Sequence, residues 1–227
     1  LIPLKDDNPI RITPIVTVGL ILLNTVVFFY ELSLGRAIEP FIHAYGAIPS
    51  TLIHGVSLGP EPHLPSYATV LTSMFLHGGV LHLGGNMLYL WIFGNNIEDE
   101  LGHFRFILFY LLCGYMAAYV HALTDSTSMM PMIGASGAIS GVLGAYLLLY
   151  PKARVLTLIP LGFFLQFVWV PAVFVLGFWI VIQFINGFFT YGQRVGGVAW
   201  FAHVGGFLAG MGLIIFFRRQ KVRLGRR

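Results

Sequence analysis

Charge is what this chain has least of. Only 10% of its 227 residues are charged, and it holds a single cysteine, Cys113. One cysteine excludes an intrachain disulfide and a metal–thiolate cluster. Scarce charge beside 57% hydrophobic residues excludes a soluble domain, because a chain of this length could not bury so much apolar surface. Lipid is the solvent that fits. The net charge of +4 does not point to nucleic acid. It comes largely from Arg218, Arg219, Lys221, Arg223, Arg226 and Arg227, just beyond an apolar run, where such a cluster reads as a membrane-surface anchor and topology signal. The chain opens on Leu1 rather than Met, which leaves room for a longer native N-terminus. Lys5 and Arg11 precede the first apolar stretch as in a signal peptide, but that stretch has no small-residue cleavage site and its length suits a retained span.

A membrane helix needs roughly 20 mainly apolar residues. Six segments qualify: 12–30, 78–97, 105–123, 134–150, 168–189 and 198–217. Pro60, Pro62 and Pro65 punctuate the long first connection, and Pro151 to Arg154 follow the fourth segment. The expected fold is therefore all-α, a polytopic six-helix membrane bundle. Residues 1–11 form an N-terminal segment, 12–217 the membrane domain and 218–227 a basic tail. Six spans put both termini on one side. That side carries Lys5, Arg11, Arg105, Lys152, Arg154 and the tail, leaving Arg36 and Arg194 opposite. By the positive-inside rule it is the cytoplasm.

Spans two, four and six then begin on the outer face. His82 and Asn86 fall about a turn into span two, Ser136 at the start of span four, and His203 about a turn into span six. Polar side chains from three helices thus share one depth. Gly134-Ala135-Ser136-Gly137 and Ala202-His203-Val204-Gly205-Gly206 also open two stripes of small residues, Gly137, Gly141, Ala145 and Ala202, Gly206, Gly210. Spacing of four lets two backbones approach closely. Taken alone, either stripe is ordinary helix packing. Facing each other, they bring a hydroxyl and an imidazole within reach.

A serine beside a neutral imidazole is the minimum for nucleophilic acyl transfer. None of the nine acidic residues falls in the outer half of an assigned span, so the expected unit is a Ser136–His203 dyad. The oxyanion that develops needs donors; the Ser136 backbone N–H, His82 and Asn86, the last two four apart on one helix face, are the candidates. A metal on His77 and His82 is the rival, disfavoured by five-residue spacing and the lack of a carboxylate or thiolate. No cofactor and no metal are expected. His43, His54, His63, His103 and His121 fall in connections or span ends, where imidazoles meet water or headgroups. Trp169, Trp179 and Trp200 read as lipid-facing or interfacial anchors.

On these motifs, together with His82-Leu83-Gly84-Gly85-Asn86 and Gly94-Asn95-Asn96-Ile97-Glu98 followed by Gly102, the chain resembles the rhomboid family of intramembrane serine proteases. The resemblance covers all six spans. It implies Ser136 as nucleophile, His203 as general base, and His82 with Asn86 as oxyanion donors. It implies substrates that are single-pass membrane proteins cut near the outer boundary, and a bacterial cell-membrane location. It also implies a bracing first loop over 31–70 and a fifth span, containing Pro171, that leans outward as a gate. Phe167, Trp169, Phe174 and Phe178 would form the gate's aromatic face. Two positions depart from the family: Ala68-Thr69 replaces a Trp-Arg pair, and Ser140 replaces an aromatic beneath the base, leaving Tyr89, Trp91 or Phe207 to hold the imidazole. The alternatives are a non-catalytic binder or chaperone of membrane proteins and, more remotely, a small transporter. The oligomeric state stays open.

Overall fold

The computed structural model describes residues 1–55, 64–162, 164–191 and 198–218. Pro60, Pro62, His63, Arg194 and the basic tail from Arg219 onward lie outside the described residues. In chain order the elements are β1 (Ile2–Asp6), α1 (Ile15–Ser33), a 3-10 turn (Gly35–Ala37), α2 (Ile38–Tyr45), α3 (Pro49–His54) and α4 (Ser66–Ser73). There follow α5 (Val80–Tyr89), a π-helical turn (Leu90–Gly94), α6 (Asn95–Leu101), α7 (His103–Thr124) and α8 (Ser136–Leu149). The rest is β2 (Arg154–Leu161), β3 (Phe164–Pro171), α9 (Ala172–Thr190) and α10 (Trp200–Phe217).

The molecule is mostly helical, and α1, α7, α9 and α10 are each long and apolar enough to cross a membrane. The segment expected as span two runs unbroken from α5 through the π turn into α6. The π turn adds one residue to the helical repeat, so side chains before and after it leave different faces. Helix α8 has only 14 residues, yet every residue from Ala138 to Tyr146 is buried. A helix apolar and buried on all sides is the middle of a bundle, and α7 and α10 pack on it. Its crossing with α10 is backbone against backbone. A methyl at Gly206 would run into the carbonyl of Gly137, and one at Gly210 into the carbonyl of Gly141. The two small-residue stripes do face each other.

The all-α expectation is corrected by a three-stranded antiparallel sheet, ordered β1-β2-β3. Val155 to Val170 is apolar enough to pass for helix, but it is rich in β-branched and aromatic residues and turns at Gly162, whose φ of +62° suits glycine. Residues 168–171, assigned to span five, are strand. Pro171 stands at the N-cap of α9 rather than within it, a position where its missing N–H costs nothing. The aromatic gate is corrected with it: Phe167 and Trp169 belong to β3, at the far end of α9 from Ser136. Phe174 and Phe178 remain on α9, both exposed.

The sheet end is held by acids. Glu98 is fully buried and accepts the N–H groups of Val16 and Thr17, the Thr17 hydroxyl, and an imidazole contact of 2.6 Å from His103. It thereby satisfies donors that the first turn of α1 leaves open; His103 is not simply turned to water. Asp99 accepts from the backbones of Arg11 and Ile12 and from the Arg11 guanidinium. Asp6 on β1 meets Asn96 at 2.9 Å and the Tyr146 hydroxyl at 2.6 Å, and burial pushes its carboxyl upward. The first connection contains α2, α3 and α4, and Ala47 pairs with Met132 across it.

Candidate active site

Ser136 is the first residue of α8, and His203 lies in the first turn of α10. The glycine crossing brings the two helix starts together. Ser136 Oγ stands 2.8 Å from His203 Nε2, across 67 residues of sequence. Both lie at the end of the bundle away from the sheet. The preceding Gly134 has φ +119°, and a methyl there would sit 2.7 Å from His82 Nε2. Glycine is needed at this position twice over, for its dihedral and for its lack of bulk.

The support of the imidazole was not read from the sequence. Gln183, on α9, places Oε1 2.7 Å from His203 Nδ1, and both side chains are buried. The Trp179 ring lies 5.8 Å from the imidazole at 35°, and the Trp200 ring meets it edge-on. Trp179 is thus an internal wall and not a lipid anchor. Of the three rings expected to hold the base, Tyr89 and Phe207 pack on Trp179 instead, and Trp91 is half exposed. Ser140, in the aromatic's place, gives its hydroxyl to the Ser136 carbonyl at 2.6 Å. One signal was available for Gln183. A polar side chain in the middle of a mostly apolar span tends to have a partner and a purpose.

His82 and Asn86 line the same cavity as the pair. The Gly78 N–H donates to His82 Nδ1 at 3.3 Å, which leaves Nε2 as the N–H of that ring, on the side of Gly134. His77 is buried, with Nδ1 3.3 Å from the Phe75 carbonyl. A carbonyl only accepts, so Nδ1 carries the proton and Nε2 accepts from Asn86 Nδ2, at 3.0 Å. The second hydrogen of the Asn86 amide is left for the cavity. The two histidines of the rival metal reading are both engaged in these bonds. One acid also lies deeper than expected. Glu31 is fully buried in the last turn of α1, its carboxylate 3.2 and 3.3 Å from the His77 N–H. It braces the strand of chain that carries His77 rather than touching His203.

The cavity encloses about 630 Å³. Its wall includes His82, Asn86, Ser136, Trp179, Gln183 and His203. It therefore offers, within one pocket, a hydroxyl with a hydrogen-bonded base, two side-chain donors beside them, and apolar walls from α5 and α9. That is enough for attack on a carbonyl, provided a peptide can enter in extended form.

The model of the family described as "Rhomboid domain" matches residues 65–220. The rhomboid protease GluP of Bacillus subtilis is 31% identical over 201 residues, 87% of this chain and 34% of that protein. RHOMBOID-like protein 5 of Arabidopsis thaliana is 41% identical over 78 residues, 34% of this chain and 25% of that protein. The mitochondrial rhomboid protein 1 of Saccharomyces cerevisiae is 34% identical over 100 residues, covering 42% and 29% of the two chains. The matched region spans about a quarter to a third of the length of these relatives.

Proposed function

The chain belongs to the rhomboid family, and we propose that it is a serine endopeptidase that cuts membrane-spanning segments of single-pass proteins near their outer boundary. The observation that carries this reading is the 2.8 Å approach of Ser136 Oγ to His203 Nε2 between two helices of a membrane bundle. In this reading α1, the continuous 80–101 helix, α7, α8, α9 and α10 are the six spans of a membrane domain covering 12–217. Residues 1–11 and the 218–227 tail lie in the cytoplasm of a bacterial cell. Lys5, Arg11, Arg105, Lys152, Arg154 and Arg218 all belong to the sheet end, which supports that orientation.

The chemistry follows from the distances. Ser136 Oγ attacks the scissile carbonyl carbon as its proton passes to His203 Nε2. The carbonyl π pair moves onto oxygen, where the Ser136 N–H, His82 Nε2–H and Asn86 Nδ2–H offer donors. Collapse breaks the C–N bond, and the imidazolium returns the proton to the leaving amine. Water then adds to the acyl carbon as its proton passes to the same nitrogen, and collapse breaks the bond to Ser136 Oγ, which takes that proton back as the acid leaves. A helical peptide bond hides its carbonyl in an intrahelical bond, so substrate helices must open locally before attack. Helices that unwind readily, with a small residue at the cut, are the substrates this favours.

The test is cleavage of a panel of tagged single-pass proteins by the chain in proteoliposomes, run beside labelling with a fluorophosphonate. Label that attaches to Ser136, with cleavage of at least one substrate, supports the reading. A folded protein that neither labels nor cuts would instead be a membrane-protein binder. Within the same assay Asn86→Ala is expected to lower kcat by on the order of tenfold to a thousandfold, with KM nearly unchanged. His82→Ala should act likewise. Parental kcat in both variants would leave the oxyanion to backbone donors alone.

A further inference from the structure

We propose that Gln183 is the positioning residue of this site: it fixes the tautomer of His203 so that the lone pair, and not the N–H, faces Ser136. The inference rests on the protease reading and adds to its serine–histidine dyad a third, uncharged member.

The amide's own orientation is settled by its other bond. Gln183 Nε2 lies 3.3 Å from the Trp179 carbonyl one turn back on α9. A carbonyl can only accept, so the atom facing it is the NH2 group. The atom facing His203 Nδ1 at 2.7 Å is then the amide oxygen, which is also only an acceptor. Two lone pairs do not meet at that distance in a buried site, so Nδ1 carries the hydrogen. In a neutral imidazole the remaining nitrogen, Nε2, holds the lone pair. That nitrogen is the one 2.8 Å from Ser136 Oγ. The chain of bonds runs Ser136 hydroxyl, His203, Gln183, Trp179 carbonyl, each donor matched to an acceptor. A free imidazole favours the opposite tautomer, with hydrogen on Nε2, which would present Ser136 with a donor and leave no base.

An amide suits the surroundings. No carboxylate of the described residues bonds to this imidazole, whose hydrogen-bond partners are Gln183 and Ser136. A buried carboxylate in an apolar span would carry a large desolvation cost; an amide oxygen orients the ring without it. Trp179, packed beside the imidazole, and Phe207, stacked on Trp179, leave the ring little freedom to turn. The acceptor rides on α9, whereas the nucleophile and base ride on α8 and α10. The tautomer is therefore held only while α9 packs against α10.

Two variants and one spectrum test this. Gln183→Met keeps the length and removes the acceptor; Gln183→Glu keeps an acceptor in place. General-base help is worth about a hundred- to ten-thousandfold, and a base in the wrong tautomer loses much of it. Q183M should therefore lower kcat and the rate of fluorophosphonate labelling by roughly tenfold to a hundredfold, with KM within about twofold and thermal melting near the parent's. Q183E should recover most of the rate. A folded Q183M that labels and turns over at the parental rate overturns the proposal, as does a folded Q183E as slow as Q183M. Should Q183M fail to fold, the nitrogen-15 spectrum of the histidine-labelled parent in liposomes decides, with the His203 signals assigned by their loss in His203→Ala. Hydrogen on Nδ1 is the expected result, and hydrogen on Nε2 overturns it. A parent protein that never labels at Ser136 removes the protease reading instead, and the spectrum still judges the tautomer.

Discussion

Ser136→Ala is expected to leave a folded protein that cuts nothing. The substitution removes one oxygen at the start of α8, where the hydroxyl's partner is the His203 ring, and α8 is otherwise held by its buried run from Ala138 to Tyr146. His203→Ala should be equally silent, because a nucleophile and its base act as a unit. In such units single removals cost about as much as joint ones, on the order of a millionfold where fully measured. The double variant should therefore be no worse than either single one. Initial rates on one substrate in proteoliposomes, with melting curves for each variant, check this. Cleavage by Ser136→Ala at more than trace levels would assign the chemistry to another group and sink the mechanism.

The second large effect is structural. Gly210→Ala should destabilise the protein by several kcal/mol and abolish cleavage with it, whereas Gly212→Ala, two residues on in the same helix, should be nearly silent. A methyl at Gly210 meets the backbone of Gly141; one at Gly212 meets nothing within 4 Å. A side chain in the way can turn aside, and overpacking of that sort costs about 1–3 kcal/mol. A carbonyl in the way cannot turn, so the helices must part, and Ser136 parts from His203. Gly206→Ala, facing the Gly137 carbonyl, should behave as Gly210→Ala does. Melting temperature in detergent and labelling at Ser136 measure both effects. A Gly210→Ala protein that melts and labels like the parent would show that the crossing is looser than described.

The parts of this site that were legible in the sequence are those that sit in distinctive surroundings. Ser136 and His203 lie among glycines at the mouths of apolar runs, and glycine at four-residue spacing has few meanings in a membrane helix. Gln183 has no such setting. It follows Val181 and Ile182 and precedes Phe184, and no periodicity separates a buried partner of His203 from an incidental polar residue. Glu31 was misplaced because the hydropathy of the first span fades near residue 30, while the helix itself continues to Ser33. The β2–β3 hairpin was hidden for the opposite reason. Both faces of it are apolar, so the alternation that marks a strand is missing, and a run of that kind cannot be told from helix by pattern alone. Trp179 looked lipid-facing because a large aromatic on an apolar span usually is; its contacts with the His203, Tyr89 and Phe207 rings show otherwise.

The strand at the start of the chain sets a timetable. Asp6 finds its partners late: Asn96 lies 90 residues downstream, Tyr146 140 residues downstream, and Val155, its neighbour in the sheet, further still. At about 5–20 residues per second of synthesis, β1 exists for roughly 7 to 30 s before β2 leaves the ribosome. Contacts so far apart in sequence also close slowly. During that interval the first strand has an open edge and a carboxylate without its final donors, while α1 is already made. The sheet is thus the seam that closes after most of the helices have been delivered, and the earliest residues described are among the last to reach their native place.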